Sequence, residues 1–572
     1  SDNTRLSKVD TGDEPSAVVL HPDGNTAYVA NRADATVVAV SDIGGSPAVG
    51  SPVPVGSEPT GLALSPTGQL LFVAEWAESR VSVIDTASMT VVDSIAVTNP
   101  RALAVTNDGD LEDDDEILIV PEFFGEATAE VSDTGRTGRV HLFNLDLSDA
   151  GDIQLDPVDS GFGDPSVMTA PNQLYAVAVA GDKLYLPSVS ASPEAPVNFN
   201  TNVQPVVYVA DLGTQTMDTS NVGTTNLAQL VRDTIPGGQT RHFLADIVDV
   251  SFVGDDIACL LSRGANVVQR VEYNSATGAQ IGSSFNFQID VGPAPEGAPA
   301  GCLVPTGIVT GHENQHAYVN CWNSRRLGVI DLTQQAQITT VEASNPPSSG
   351  EETAVNRGAR FFNTGRARWS SESWSSCASC HPDGLTDNIT WSFAAGPRQT
   401  VSLDGSYSKG DGPQVQRIFN WTGIFDEIHD FERNTRGVSG GLGAVTQSTD
   451  CGNLAAETQS ALPGPPGGLL GTPVKEIQDT QADNCTTDWD DIDAWVRTVR
   501  APRALQTLDS ASVENGRQLF VAGGCDKCHS GSGFTLSRVF WTPSSDNNSL
   551  LTNEDFPAAP FPGYTHLQPA QP

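Results

Sequence analysis

The chain has 572 residues, with 70 acidic against 30 basic side chains for a formal net charge of -40, and nine cysteines. This length predicts two or more domains. The charge argues against nucleic acid or an anionic membrane surface as a partner and favours a basic one. No apolar run reaches the roughly eighteen residues of a membrane span, and the polar start SDNTRLSKVD has none of the regions of a signal peptide, so the chain is expected to be soluble as it stands. With 54 Gly, 37 Pro and 17% charged residues, the composition suits a turn-rich β protein.

One pattern recurs through the first 330 residues: Pro, a short apolar strand, a turn rich in Pro, Asp and Gly, then further strands. It reads PSAVVLHPDGNTAYVANRADATVVAV from Pro15 and PTGLALSPTGQLLFVAEWAESRVSVID from Pro59, with weaker copies from Pro100, Pro171, Leu244 and Pro305. Each unit holds three alternating strands and a looser fourth, such as MTVVDSIAV from Met89, which is the content of one propeller blade. The prediction is an all-β propeller over residues 1–345, seven-bladed by expectation although six units are recognisable. With AYVAN and VSVID as they stand, the copies at Pro15 and Pro59 resemble the YVTN family of propellers, over about residues 5–342. The resemblance implies a rigid disc with loops on both faces, serving as a scaffold or docking platform.

The most polar insert, NDGDLEDDDE from Asn107 to Glu116, alternates hard oxygen ligands beside a Gly. Asp108, Asp110, Asp113 and Asp115 are candidate Ca²⁺ ligands, against the alternative of a solvated acidic run, and the spacing matches no EF-hand loop.

Composition changes after Glu342. Divided at residue 350, the net charge is -30 before and -10 after, so the acidity belongs mostly to the propeller. The decisive residues follow: Cys377-Ala378-Ser379-Cys380-His381 and Cys525-Asp526-Lys527-Cys528-His529. In CxxCH the two thiols add to haem vinyl groups and the adjacent imidazole reaches the iron. One chance match has a probability on the order of 10⁻³ in a chain this poor in Cys and His. A redox CxxC should follow a βαβ pattern, and zinc would leave the repeated His a coincidence. Two covalent c-type haems are expected, with His381 and His529 as proximal ligands.

Upstream of the motifs lie AVNRGARFF, with Val355, Gly358 and Phe362 on one helical face, and SVENGRQLF, with Val513, Gly516 and Phe520 at the same offsets. They resemble the first helix of a cytochrome c domain. DWDDIDAWVRTVR, with its stripe of Trp489, Ile492, Val496 and Val499, resembles the closing helix. The expected organisation is therefore a multidomain chain: the propeller, then mainly α-helical dihaem cytochrome c-type domains at 346–505 and 506–572. The second is expected to be incomplete, because the 43 residues after His529 repeat no closing helix.

SCASCHPDGLTDN and QRIFNWTGIFDEIHDFERNTRGVSGG, with two haem motifs in this order, resemble the bacterial dihaem cytochrome c peroxidase and MauG superfamily over about residues 350–545. The resemblance implies a peroxide-reactive high-spin haem paired with a low-spin electron-transfer haem, and a further C-terminal segment that this chain is expected to lack. A propeller in front suggests the subgroup in which YVTN propellers precede dihaem domains.

The only methionines are Met89, Met168 and Met217, so neither haem domain supplies a Met ligand, and His/His coordination or an open site is expected. His429, in FDEIHDFE, is the first candidate for a distal ligand or catalytic acid/base group, against the alternative of a surface His; His566, His312 and His316 are weaker ones. Arg398, Arg417 and Arg433 are candidates to pair with haem propionates, or else surface ion-pairing groups. Trp391 and Trp421 could lie between haems or pack in the core. Of the five remaining cysteines, Cys451 and Cys485 are expected to bridge, as are Cys302 and Cys321, leaving Cys259 buried and reduced.

Disulfides and c-type haem together place the protein in the periplasm or outside the cell. The expected function is one-electron transfer by a dihaem cytochrome, with the propeller as docking or assembly platform for a redox partner protein, self-association remaining open. The alternatives are an oxidoreductase of the dihaem peroxidase type, with iron and haem c as cofactors, and a haem-bearing sensor whose propeller binds a ligand or partner.

Overall fold

The computed structural model describes residues 5–110, 112–237, 239–282, 286–292, 301–366, 369–393, 396–406, 428, 431, 437–441, 486–527 and 529. The chain forms two compact units. The first comprises Ser1–Glu194, Thr201–Asn345 and Pro502–Thr507; the second comprises Ala195–Asn200, Pro346–Ala501 and Leu508–Pro572.

In the first unit each sequence repeat folds into one antiparallel sheet. The first pairs Pro15–Leu20, Thr26–Asn31, Thr36–Ser41 and Ala48–Val49 in order, and the second pairs Pro59–Leu64, Leu70–Glu75, Arg80–Asp85 and Thr90–Ala96. The repeats from Pro100, Pro171, Leu244 and Pro305 give four more such sheets. The β-branched alternation sends one set of side chains against each neighbouring sheet. Tyr28, Ala30 and Val37 of the first sheet pack on Leu71, Val73 and Ile84 of the second, and Phe72, Val81 and Val83 pack on Leu118 and Val120 of the third. The turn signal works as its chemistry predicts: Asp23 accepts from the backbone N–H groups of Asn25 and Thr26, and Gly24 takes the positive φ of 69° that closes the hairpin.

This is a β-propeller with six four- or five-stranded sheets among the described residues, one for each recognisable repeat; a seventh such sheet is not among them. A hairpin, Val158–Gly163 with Ser166–Thr169, separates the third and fourth sheets, and helix α1, Leu227–Thr234, separates the fourth and fifth. Asn226 caps α1 by accepting from Ala228 and Gln229 N–H. The sixth sheet carries the expected Cys302–Cys321 disulfide, and Cys259 is buried and unpaired, also as expected.

The segment 502–507, far along the chain, is part of this unit. Arg503 N–H donates to Glu58 Oε1 at 2.7 Å, Ser57 Oγ donates to the Arg503 carbonyl at 2.7 Å, and the Arg503 guanidinium donates to the Ala33 carbonyl at 2.7 Å. Glu78 accepts from Gln506 N–H at 2.7 Å, from Thr507 N–H at 3.0 Å and from the Thr507 hydroxyl.

The described part of the second unit holds α2, Gly350–Asn363, α3, Thr486–Val496, and α4, Ser510–Ala522, with a hairpin of Thr390–Phe393 and Gly396–Gln399. Ser349 caps α2 by accepting from Glu352 N–H, two acidic residues occupy the first turn and Arg360 the last, so cap and dipole agree. α2 crosses α3 at Gly358, where a β-carbon would lie 1.7 Å from the Asp491 carbonyl oxygen. Only glycine permits that approach. Phe361, Phe362, Trp369, Trp489, Ile492 and Val496 form the core around the crossing, so the predicted apolar stripes of both helices face each other. Among the described residues no helix is long and apolar enough to cross a membrane.

Candidate functional site

The first CxxCH lies between α2 and α3 in this core. Cys377–Ser379 form a 3₁₀ turn held by a capping box between Ser376 and Ser379. Cys380 N–H and His381 N–H both donate to the Cys377 carbonyl, at 3.3 and 2.9 Å, which brings both thiols and the imidazole onto one tight turn. Cys377 and Cys380 are each half-buried. His381 Nδ1 lies 3.1 Å from the Leu385 carbonyl oxygen. With Nδ1 as donor there, Nε2 keeps its lone pair, the arrangement that prepares a histidine for a metal. Desolvation, against hydrogen bonds to the Leu385 and Val401 backbone, pushes the imidazole down to about 4, so it is neutral at ordinary pH. Its ring packs on Phe362, centroids 6.2 Å apart and inclined at 60°.

The second motif repeats this local geometry. Cys525–Lys527 form a 3₁₀ turn, His529 N–H donates to the Cys525 carbonyl at 2.8 Å, and the His529 ring lies 6.4 Å from Phe520 at 57°. Surroundings differ: none of α4 is buried and Cys525 is exposed. Cys528 lies outside the described residues.

Just before the first motif, Trp374 is 1% exposed and meets Phe199 edge-on at 5.7 Å. Phe199 belongs to the six-residue segment 195–200 that the second unit takes from between two strands of the fourth sheet. Ser375 Oγ donates to Ser439 Oγ at 2.8 Å, and Ser370 Oγ donates to the Ser439 carbonyl at 3.2 Å, fixing the approach to Cys377.

Several expected residues stand elsewhere. Arg398 sits on the hairpin opposite Trp391, and its guanidinium donates to the Pro397 carbonyl. The second unit instead buries two arginines that the sequence reading passed over, Arg360 at 5% and Arg366 at 1% exposure. A buried Arg is rare without an anion or several acceptors to hold it. Trp391 is a core residue, its indole N–H donating to Asp387 and Thr400. His316 begins a strand of the sixth sheet, and His312 lies in the turn before it. His429, Arg417, Arg433, Trp421, His566, Cys451 and Cys485 lie outside the described residues.

In the acidic insert, carboxylate oxygens of Asp108, Asp110 and Asp115 lie within 4.8 Å of one another, all exposed. Repulsion from Asp108 raises the Asp115 carboxyl above its usual range. Asp113 does not join them: it accepts from the Thr67 N–H and hydroxyl, a neighbouring turn having captured it. Glu116, buried, accepts from the Thr106 hydroxyl and Asp108 N–H, so the insert is tied down by its own hydrogen bonds. Three carboxylates fall short of the six to eight oxygens Ca²⁺ takes unless carbonyls or waters add to them.

Residues 2–109 match the family model described as Lactonase, 7-bladed beta-propeller. No curated protein matches the sequence. Solved structures similar to the chain include hydrazine synthase of Kuenenia stuttgartiensis, 14% identical over 58% of this chain and 80% of that one with a TM-score of 0.39. Another is the β-propeller domain of Cps50 (Swd1) from Myceliophteria thermophila, at 10% identity, 59% and 89% coverage and a TM-score of 0.37. A third is a functionally unknown protein from Desulfotomaculum acetoxidans, at 11%, 60% and 92%, with a TM-score of 0.37.

Proposed function

We propose that the protein is a dihaem c-type cytochrome that transfers single electrons outside the cytoplasm, its propeller serving as the docking or assembly platform. One observation carries the reading: two CxxCH turns of the same build, each closing from the His N–H to the first Cys carbonyl and each setting the imidazole against a helix phenylalanine. Cys377, Cys380 and His381 would hold one haem, and Cys525, Cys528 and His529 the other. Haem bound there supplies the one-electron iron couple. The chain contributes the neutral His381, oriented through Nδ1, and the apolar wall of Phe362, Ala378 and Trp495 that limits water. Arg360 and Arg366, buried in the same unit, join Arg398 as candidates to pair with propionate charge.

A second reading, peroxide reduction or substrate oxidation of the MauG type, draws support from the methionine count: none follows Met217, which leaves an open iron or a histidine as the alternatives. Expression in a host that attaches haem to c-type cytochromes should give two haems per chain by pyridine haemochromogen and intact mass, and Cys380→Ser should lose one. A chain that carries no covalent haem under those conditions refutes both readings. Two low-spin haems inert to peroxide support electron transfer alone; a high-spin ferric signal with rapid peroxide reaction supports the oxidoreductase.

A further inference from the structure

Each propeller sheet runs its first and third strands one way and its second and fourth the other, so the turns from first to second and from third to fourth strand leave at one end. Neighbouring sheets keep those ends together. The Gly68 turn of the second sheet lies against His21 of the first, Thr67 N–H donates to Asp113 of the third at 3.0 Å, and Gln215 Nε2 of the fourth donates to the Ala150 carbonyl of the third at 2.9 Å. Tyr185 of the fourth sheet meets Phe252 of the fifth with ring centroids 4.6 Å apart, and Thr310 N–H of the sixth donates to Ser251 Oγ of the fifth at 3.0 Å. The twelve turns thus share one face.

Its charge is of one sign. The turn segments 21–25, 42–47, 65–69, 86–89, 106–116, 145–148, 181–182, 212–215, 254–256, 275–277, 311–315 and 332–335 contain fourteen Asp and Glu and no Lys or Arg. Asp85, Asp211 and Asp331, which end third strands, add their carboxylates by accepting from Ser88, Thr214 and Thr333 N–H of those turns. Lys183, beside the turn 181–182, is paired with Asp218 at 2.6 Å. Arginines gather at the opposite end: Arg32, Arg101, Arg263 and Arg325 lie in its connections, and Arg80, Arg136 and Arg326 begin third strands there. The acidity is therefore sorted between the two faces and not spread evenly. Sorting has a cost: repulsion, chiefly from Asp108, raises the Asp115 carboxyl above its usual range, and cationic side chains laid on the face would relieve it.

We propose that this turn face docks a protein with a lysine- and arginine-rich surface, the complementary charge setting both orientation and association rate. The inference gives the docking platform its side and its partner's chemistry, and it rests on the platform reading for the partner's redox role; the binding itself requires no haem. Nucleic acid is repelled by the same face.

The probe is a small lysine-rich c-type cytochrome, titrated into the full chain by calorimetry, with a lysine-acetylated sample of the same cytochrome as control. Wild type should bind the first and not the second, and its affinity should fall at least tenfold between about 20 and about 200 mM salt. Neutralising four exposed turn carboxylates together, Asp182→Asn, Asp255→Asn, Asp256→Asn and Glu313→Gln, should weaken binding about tenfold at low salt. Removing the same charge from the opposite end, by Asp13→Asn, Glu126→Gln, Glu130→Gln and Glu342→Gln, should weaken it less than about threefold, with melting curves of both variants matching wild type. No binding by wild type at low salt, binding indifferent to salt or to lysine acetylation, or equal weakening by the two variants overturns the proposal. Haem content of the same samples separates the two readings: a haem-free chain that binds keeps the docking face and loses the electron-transfer role, and a dihaem chain that does not bind does the reverse.

Discussion

Glu78 holds the segment 502–507 to the propeller, and changing it should release that segment without unfolding the sheets. Its carboxylate accepts from Ser57 N–H at 3.0 Å within the turn, and from Gln506 N–H, Thr507 N–H and the Thr507 hydroxyl across a separation of more than 420 residues. Hydrogen bonds to a charged acceptor contribute about 1.5–3 kcal/mol each when sheltered, but this carboxylate is partly solvated. Glu78→Gln replaces one accepting oxygen with a donor that faces other donors. The expected cost to the closed state is about 2 kcal/mol, or roughly thirtyfold faster amide exchange at Gln506 and Thr507. Glu78→Asp should do the same for a different reason. Asp34 occupies the equivalent place in the first repeat, where it accepts from Asp13 N–H at 2.7 Å. Shortened by one methylene, residue 78 should keep the Ser57 bond and lose the distant ones. Burial would raise the Glu78 carboxyl, but the bonds from Thr507, Gln506 and Ser57 outweigh it and hold the group below its usual range. A depressed folded-state pKa means that the hold is complete above the free carboxylate range and is lost as pH falls through the folded value. Hydrogen–deuterium exchange with mass analysis of the 502–508 region, corrected for intrinsic rates, reads both effects. Wild-type amides at 506 and 507 that exchange as in a free peptide, or no difference between wild type and Glu78→Gln, refute the reasoning.

Three further outcomes follow from the packing. Gly358→Ala should destabilise the second unit by about 3 kcal/mol, since the β-carbon meets the Asp491 carbonyl and backbone must move, whereas Gly516→Ala should be neutral or stabilise α4 by up to about 1 kcal/mol; circular dichroism melts of both variants separate the two. Replacing Cys302 and Cys321 together by Ser should cost the propeller about 3 kcal/mol in denaturant unfolding, the chain-entropy value for a closed loop of this size. Desolvation, only partly offset by the hydrogen bond from Glu194 N–H, pushes the Asp133 carboxyl up to about 6, so its ionised form burdens the native state above that pH and the burden vanishes below about 4. Asp133→Asn should therefore raise the melting temperature at pH 7, by up to about 3 kcal/mol of stability, and leave it unchanged at pH 4; an equal effect at both pH values counts against the assignment.

What could be read from residues alone was whatever is local or periodic. The Pro-to-turn repeats from Pro15 and Pro59 carry alternation and turn chemistry in one stretch, so each became a sheet, and the stripes of α2 and α3 announced their facing sides. Cys302, three residues ahead of the strand Pro305–Thr310, reaches Cys321 because Pro305 pairs with Cys321 across the sheet, a proximity already suggested by the spacing. Asp113 was misassigned because its turn partner, Thr67, belongs to another repeat. The hold of Glu58 and Glu78 on 502–507, the transfer of 195–200 to the second unit and the burial of Arg366 share one cause of invisibility. Each depends on a tertiary neighbour hundreds of residues away or on a loop without periodicity, and no local rule encodes such a neighbour.

That distribution bears on how separable the propeller is. A propeller joined to the rest of the chain only at residue 345 could be removed without taking residues from the second unit. Here the second unit takes Phe199 from a propeller repeat and sets it on Trp374, three residues before Cys377, while the first unit holds the peptide that leads into α4. The N-cap of α4, Asp509, stands two residues beyond Thr507, the last residue Glu78 grips. The two units are thus interleaved along the chain: the second draws residues 195–200 from within the repeat of the fourth sheet, and the first draws 502–507 from just ahead of α4.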